Sequence, residues 1–236
     1  GLVYAAIKYS KKEINSVDDY VPEVIYTLPF HGNWYVVNGG ITKDTSHSWE
    51  ILPQRFACDF LIVDDEGKTY VGERENLHSY YCYGKDILAP ADGTVVSVRD
   101  NFPDCRIMPD GQPDPETPDI GGNRIVIRHS ENEYSVICHL MPKSIAVEKG
   151  QKVKRGDVIA KCGNSGNTTE PHVHFQVQNT ARFYSSMGVP IFFPKVQKKR
   201  YEKYAVIDTR PLPEQAEMRD GYICRGMLVE NLERDE

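Results

Sequence analysis

Apolar and polar side chains alternate most strictly over residues 172–178. Val173, Phe175 and Val177 fall on one face of an extended chain, and His172, His174, Gln176 and Gln178 on the other. A period of two predicts a half-buried β-strand. Similar short runs predict strands at 34–37, 56–63, 93–98, 123–129, 134–140, 158–161 and, near the end, 222–229. Glycine and proline separate them, at Gly39-Gly40, at 89–93, at Gly121-Gly122 and at Gly150 and Gly156. Helical periodicity is scarce, with short candidates around 18–21 and 181–187. Many short strands with turn signals between them predict an all-β chain with a sandwich or barrel-like core.

Two stretches break the pattern. Residues 100–120 hold Pro103, Pro109, Pro113, Pro115 and Pro118 among several aspartates. That composition does not fill a sheet interior, and it predicts an exposed, mobile loop outside the core, beside or above a groove. Residues 64–83 are polar at first and then aromatic, with Tyr80, Tyr81 and Tyr83. Loops of this kind on a rigid sheet often wall a substrate groove. The basic stretch 195–204 reads as a solvated connector ahead of a terminal strand pair.

Composition narrows the class without naming a chemistry. A chain of 236 residues with 40% hydrophobic and 26% charged residues can bury a real core, as one domain or one domain with elaborations. A formal charge of −6 and the lack of a long basic run argue against nucleic acid and anionic membrane surfaces. No apolar run approaches the ~20 residues of a membrane span, and no signal peptide is visible. None of the six cysteines forms a C-x-x-C pair. They are expected as buried free thiols. Cys138 precedes His139, but neighbours on a strand point to opposite faces, so adjacency does not make them a catalytic dyad.

The histidines of the 172–178 strand carry the chemistry. Residues two apart share a face roughly 6.6 Å apart, so His172 and His174 project side by side from a rigid element. One can bind a metal while the other reaches what binds beside it. The alternative is a pair of surface histidines on a wet sheet face.

Other segments extend this motif. His139-Leu140-Met141, the run 147–159 with its Lys149-Gly150 and Arg155-Gly156 turns, Gly163-Asn164-Ser165-Gly166 and Pro171-His172-Val173-His174-Phe175 occur in that order. Upstream stand Ala89-Pro90-Ala91-Asp92-Gly93-Thr94-Val95-Val96 and Gly122-Asn123-Arg124-Ile125-Val126. Together, over about residues 47–178, this set resembles the lysostaphin/LytM-type zinc endopeptidases. The resemblance implies a duplicated hybrid motif fold: an antiparallel β-sandwich or barrel-sandwich-hybrid-like core with long loops walling a groove. It also implies Zn2+ in that groove and hydrolysis of peptide bonds in bacterial peptidoglycan, hence a secreted or cell-envelope protein. The corresponding division is an N-terminal extension (1–46), a peptidase-like β domain (47–194) and a C-terminal extension with terminal strands (195–236).

A hydrolytic zinc keeps three protein ligands and one open position. By the resemblance, His174 and Asp59 are ligands, and His139 and His172 flank the water and the developing oxyanion. The family's first histidine, four residues before the aspartate, is replaced here by Arg55, which stays protonated and cannot ligate zinc. The nearest upstream histidine, His47, stands twelve residues before Asp59 and follows Gly39-Gly40, which resembles the family's glycine-rich lead-in. His47 is therefore the expected third ligand. His31, His78 or a degenerate site are the alternatives, and Asp86 is the reserve carboxylate. Arg55 is left to pair with a carboxylate of the protein or the substrate. His129, Trp34, Trp49 and Phe30 read as structural.

Three function classes follow. The first is an active zinc endopeptidase on peptidoglycan peptides. The second is a zinc-free relative that binds peptidoglycan or regulates another hydrolase, motivated by Arg55. The third is a carrier module of biotinyl or lipoyl type, motivated by the turns of 147–159. Bound zinc separates the first from the others, and a modified lysine would mark the third.

Overall fold

The structure is a computed structural model that describes residues 2–9, 14, 16–212 and 219–232. Of the expected extensions, residues 1, 10–13, 15, 213–218 and 233–236 lie outside the described residues. The chain is mostly β. The strands are β1 (Trp34–Asn38), β2 (Cys58–Leu61), β3 (Asp86–Leu88), β4 (Gly93–Arg99), β5 (Arg124–Arg128), β6 (Tyr134–Cys138), β7 (Lys152–Val153), β8 (Val158–Lys161), β9 (Val173–Gln178), β10 (Val196–Arg200) and β11 (Met227–Asn231). Nine form one sheet in the order β10-β11-β1-β2-β9-β6-β5-β4-β7, and β3 and β8 form a separate pair. All pairings are antiparallel.

Alternation fixes which face of the large sheet is core. Val173, Phe175 and Val177 pack with Cys58, Phe60, Ile125, Ile127 and Ile137 in the main hydrophobic cluster. In register, Phe175 stands opposite Cys58 on one side and Ile137 on the other, so one face of three neighbouring strands is continuous apolar surface. Phe30 stacks on Trp34 at 4.3 Å and meets Phe60 edge-on at 5.0 Å, sealing the β1–β2 end. All six cysteines are buried.

The opposite face of β9 departs from the half-buried expectation. His174, Gln176 and Gln178 are buried as fully as the apolar set. Burial is tolerated because these polar groups satisfy one another along the strand. The chain after β9 also folds back, with Val189 N–H donating to the Val177 carbonyl and Gly188 N–H to Leu52. Phe183, Val126, Val136 and Cys138 form a small apolar cluster on this side.

Several local expectations change. Residues 181–187 form turns, not a helix, and 18–21 contributes only a short 3-10 turn at Val17–Asp19, capped by Ser16. The stretch 195–204 is not a solvated connector: β10 lies within it and pairs with β11 along its whole length. Alternate side chains of an edge strand face solvent, which accounts for its basic composition. The terminal strand begins at Met227, later than expected, because Gly226 turns the backbone at φ 86°. An eight-residue helix, α1 (Leu2–Tyr9), was not evident from periodicity.

The loop 100–120 lies largely exposed but is anchored to the domain at several points. Cys105, Ile107 and Asp114 are buried. The Asp104 carboxylate accepts from Asn164 N–H at 2.7 Å and from the Tyr83 hydroxyl at 2.6 Å. Arg106 grips Asp114 through two bonds of 2.9 Å. The prolines keep the segment irregular, while these side-chain bonds give its backbone a fixed course.

Candidate active site

Sheet register assembles the site. Asp59 on β2 lies opposite His174 on β9, and Cys138 on β6 lies opposite His174 from the other side. Residues paired in register point to the same face, so Asp59 and His174 both turn away from the main core. His174 Nδ1 and Asp59 Oδ1 are 2.9 Å apart. His47 comes from the loop between β1 and β2, and its Nε2 lies 3.6 Å from Asp59 Oδ2. One ligand-type atom from each of His47, Asp59 and His174 lies within 4.8 Å of the others, a spacing that could hold a metal ion.

The donor set suits a cation. Gln176 Oε1 lies 2.8 Å from His174 Nε2. Gln176 Nε2 in turn donates to Gln178 Oε1 at 2.7 Å, which fixes the amide so that its oxygen faces the imidazole. His174 therefore donates from Nε2, while Nδ1 donates to Asp59 when the ring is charged and offers its lone pair to a cation when the ring is neutral. Burial acts to raise the Asp59 pKa, but His47, the His174 hydrogen bond and His172 outweigh it and hold the carboxylate well below its usual range. Burial lowers the pKa of His47, only partly offset by Asp59. Burial also acts to lower that of His174, but its bond and charge interaction with Asp59 prevail and raise it.

Two further histidines complete the cluster. Cys138 ends β6, and His139 then takes a left-handed conformation, φ 62°, rare for a side chain with Cβ. The turn swings its ring to within 4.5 Å of His172 and 5.9 Å of His174, centroid to centroid. His139 Nδ1 is 2.7 Å from the Ser165 carbonyl oxygen, and His172 Nδ1 is 2.9 Å from that of Glu170. A carbonyl only accepts, so both rings carry a proton on Nδ1 and their Nε2 edges face the other way. His172 Nε2 lies 3.9 Å from Asp59 Oδ1. Burial and the adjacent His172 and His174 hold the His139 pKa well below that of a free imidazole.

The cluster lines a cavity of about 400 Å³. Its walls include Leu2 of α1, Ile51, Pro113 and Ile120 of the long loop, and Phe183 and Tyr184. The expectation that 100–120 lies beside a groove agrees with this placement. Cys138 also faces the cavity, but burial pushes its thiol up to about 12, so it is not a thiolate nucleophile.

The other candidates lie elsewhere. His31 and His78 are exposed, and His78 packs edge-on to Tyr83 at 5.1 Å. Asp86 is exposed and pairs with Lys161 at 2.7 Å. Arg55 is buried, donates to the carbonyls of Trp49 and Ile14 and stacks over the Trp49 ring, tying the N-terminal segment to the β1–β2 loop. His129 bridges the Asp92 carbonyl and the Ser135 hydroxyl, both at 2.7 Å.

Sequence reasoning missed two contributors. Asn38 donates to Asp59 Oδ2 at 3.0 Å; its only signal was its place just before Gly39-Gly40. Gln176 was legible as sharing a face with His174, but its bond to the ring was not.

Residues 78–185 match the model of Peptidase family M23. The match contains His139, His172 and His174, while His47 and Asp59 precede it. A peptidoglycan DD-endopeptidase of Vibrio cholerae, ShyA, is 34% identical over 108 residues, 46% of this chain and 21% of that protein. An uncharacterized metalloprotease of Buchnera aphidicola is 43% identical over 94 residues, 40% of this chain and 20% of its own length. The chain thus spans about a fifth of these curated relatives. A zinc-containing peptidase from Vibrio cholerae of known crystal structure aligns over 70% of this chain and 39% of its own, with a TM-score of 0.42 and 23% identity. Over residues 78–185, a little under half of its length, the chain is similar to Peptidase family M23.

Proposed function

We propose that this protein is a zinc-dependent endopeptidase that cleaves peptide bonds in bacterial peptidoglycan, with His47, Asp59 and His174 as metal ligands. The observation that carries the reading is the convergence of these three side chains with His139 and His172 at one cavity. Two imidazoles and a carboxylate are a donor set typical of hydrolytic zinc, with room for a fourth ligand. When bound, Zn2+ polarises the scissile carbonyl and acidifies water. The names of the matched relatives support peptidoglycan as the substrate, and action in the cell envelope follows from that substrate. Among the described residues, no helix is long and apolar enough to cross a membrane.

The protein's own groups supply the proton chemistry. His139 is kept neutral by burial, and with Nδ1–H held by Ser165 it offers the lone pair of Nε2 as a general base. His172, held likewise at Nδ1 by Glu170, faces the site with Nε2 and would donate toward the developing oxyanion or the leaving amine only in its doubly protonated form, after taking up a proton there.

The zinc-free alternative was motivated by Arg55. That residue is bound to backbone carbonyls and Trp49, while His47 stands at the site instead, so the motive falls away. Metal analysis of the purified protein and of His47→Ala, together with release of peptides from isolated peptidoglycan, tests the proposal. One zinc per unmodified chain, lost with hydrolysis in His47→Ala, is expected. Zinc binding and hydrolysis unchanged in His47→Ala would remove His47 from the ligand set, and no zinc at micromolar metal would favour a peptidoglycan-binding module.

A further inference from the structure

Asn38, the last residue of β1, stands opposite Asp59 because the β1–β2 register slips between Val36 and Asn38. Val36 pairs with Phe60, Asn38 with Asp59, and Val37 is the extra residue of a bulge. Without the bulge, Val37 would face Asp59. Bulges commonly re-aim a side chain beside a functional site. Here the bulge puts an amide next to the buried carboxylate, with Asn38 Nδ2 donating to Asp59 Oδ2 at 3.0 Å.

An asparagine amide can point either way unless something fixes it. Arg210 fixes this one. Its Nη1 donates to Asn38 Oδ1 at 3.0 Å, and its Nη2 to the Val37 carbonyl at 3.0 Å, at the bulge itself. A guanidinium only donates, so the amide oxygen must face Arg210 and the NH2 must face Asp59. Arg210 is anchored in turn by the buried Asp208, with Nε 2.9 Å from both carboxylate oxygens and Nη2 2.6 Å from Oδ2. Arg225 Nη1 also approaches Asp208 Oδ2, at 3.7 Å. Asp208 and Arg210 lie well outside the matched segment 78–185.

We propose that Arg210, acting through Asn38, is a positioning residue that holds the Asp59 carboxylate in its metal-binding orientation, so that the C-terminal segment sets the metal affinity of a site built on other strands. The inference rests on the reading of Asp59 as a zinc ligand. Asn38 donates to Oδ2, which also faces His47 Nε2 at 3.6 Å, while Oδ1 faces His174 Nδ1 and His172 Nε2. Losing Arg210 removes the contacts that hold Asn38 Oδ1 and the bulged Val37 carbonyl, so the amide loses its fixed place beside Oδ2 and the carboxylate loses a constraint on its orientation. Partners outside the ligand shell typically govern ~10–100-fold in metal affinity.

The test is a double-mutant cycle of Asn38→Ala and Arg210→Ala, read by zinc affinity in competition with a chromophoric chelator. His174→Ala serves as the check on the zinc site, and Arg219→Ala, at a surface pair with Asp18, as a control. Each single variant should bind zinc ~10–100-fold more weakly, the double variant no more weakly than Asn38→Ala alone, and Arg219→Ala like the unmodified protein. Arg210→Lys, which keeps the charge and one donor, should recover part of the loss. Affinity unchanged in Arg210→Ala, or losses that multiply in the double variant, would overturn the inference. A second arm needs no metal: hydrogen exchange of the Asn38 side-chain amide by NMR should accelerate at least ~10-fold in Arg210→Ala. If the unmodified protein binds no zinc, the zinc reading fails and this arm decides whether Arg210 orients Asn38; an exchange rate unchanged in Arg210→Ala would then overturn that too.

Discussion

Asp59 and His174 face each other across two adjacent antiparallel strands, with Oδ1 and Nδ1 2.9 Å apart. The pair is thus set by sheet register and not by a flexible loop, and replacing either member should empty the proposed metal site without disturbing the core. His174→Ala is expected to weaken zinc by more than ~100-fold, beyond the range of outer-shell changes, and to abolish peptidoglycan hydrolysis. Metal content and hydrolysis retained in that variant would rule out His174 as a ligand.

His139 and His172 should behave differently. Each is anchored at Nδ1 by a backbone carbonyl, and neither belongs to the trio with ligand spacing. Alanine at either position should leave zinc stoichiometry intact and lower turnover by ~10²–10⁴-fold. Measuring bound zinc and peptide release on the same samples checks this; loss of zinc in either variant would move that histidine into the ligand set.

Gln176 has no access to substrate, yet it fixes which nitrogen of His174 carries the proton. Gln176→Leu would strand the His174 Nε2–H and the Gln178 Oε1 in a buried setting, at about 1–3 kcal/mol for each group. The expected result is lower stability in urea together with ~10–100-fold weaker zinc. Gln176→Glu, which still offers an oxygen to the ring, should restore most of the zinc affinity. If Gln176→Leu binds zinc normally, the tautomer of His174 is set by something else.

The sequence showed much of this site and little of its support. The alternation of 172–178 was enough to place His172 and His174 on one face, because a period of two is a local property of the chain. The inclusion of Asp59 and His47 depended on the family resemblance, since pairing β2 with β9 is a long-range event with no local signal. Arg55 was a false lead, as spacing alone cannot show that a side chain turns toward Trp49. Asn38 and Arg210 were invisible because a bulge and a contact between residues 172 positions apart leave no periodic trace. The strand at 196–200 was misjudged for a related reason: edge strands carry charges that read as loop.

His129 gives the fold a pH dependence separate from the proposed chemistry. Burial lowers its pKa from 6.5 to about 4. A depressed histidine favours the folded state above the unfolded pKa, and that contribution is lost as pH falls from about 6.5 through about 4. Allowing for solvent screening at its partly exposed edge, the loss is about 1–3 kcal/mol. Urea unfolding at several pH values, compared with His129→Gln, checks it. The stability difference between the two proteins should shrink as pH falls from 7 to 4, and a constant difference would reject the assignment.

Register pairing also controls when the site can exist. Asp59 and His174 are separated by 115 positions, and they meet only once β9 has been made and has docked between β2 and β6. Contacts so distant along a chain are entropically expensive and form late. A growing or partly unfolded polypeptide therefore carries its histidines apart and cannot gather the three donor atoms. Any peptidase activity of this protein would be silent until β9 has been made and has docked between β2 and β6.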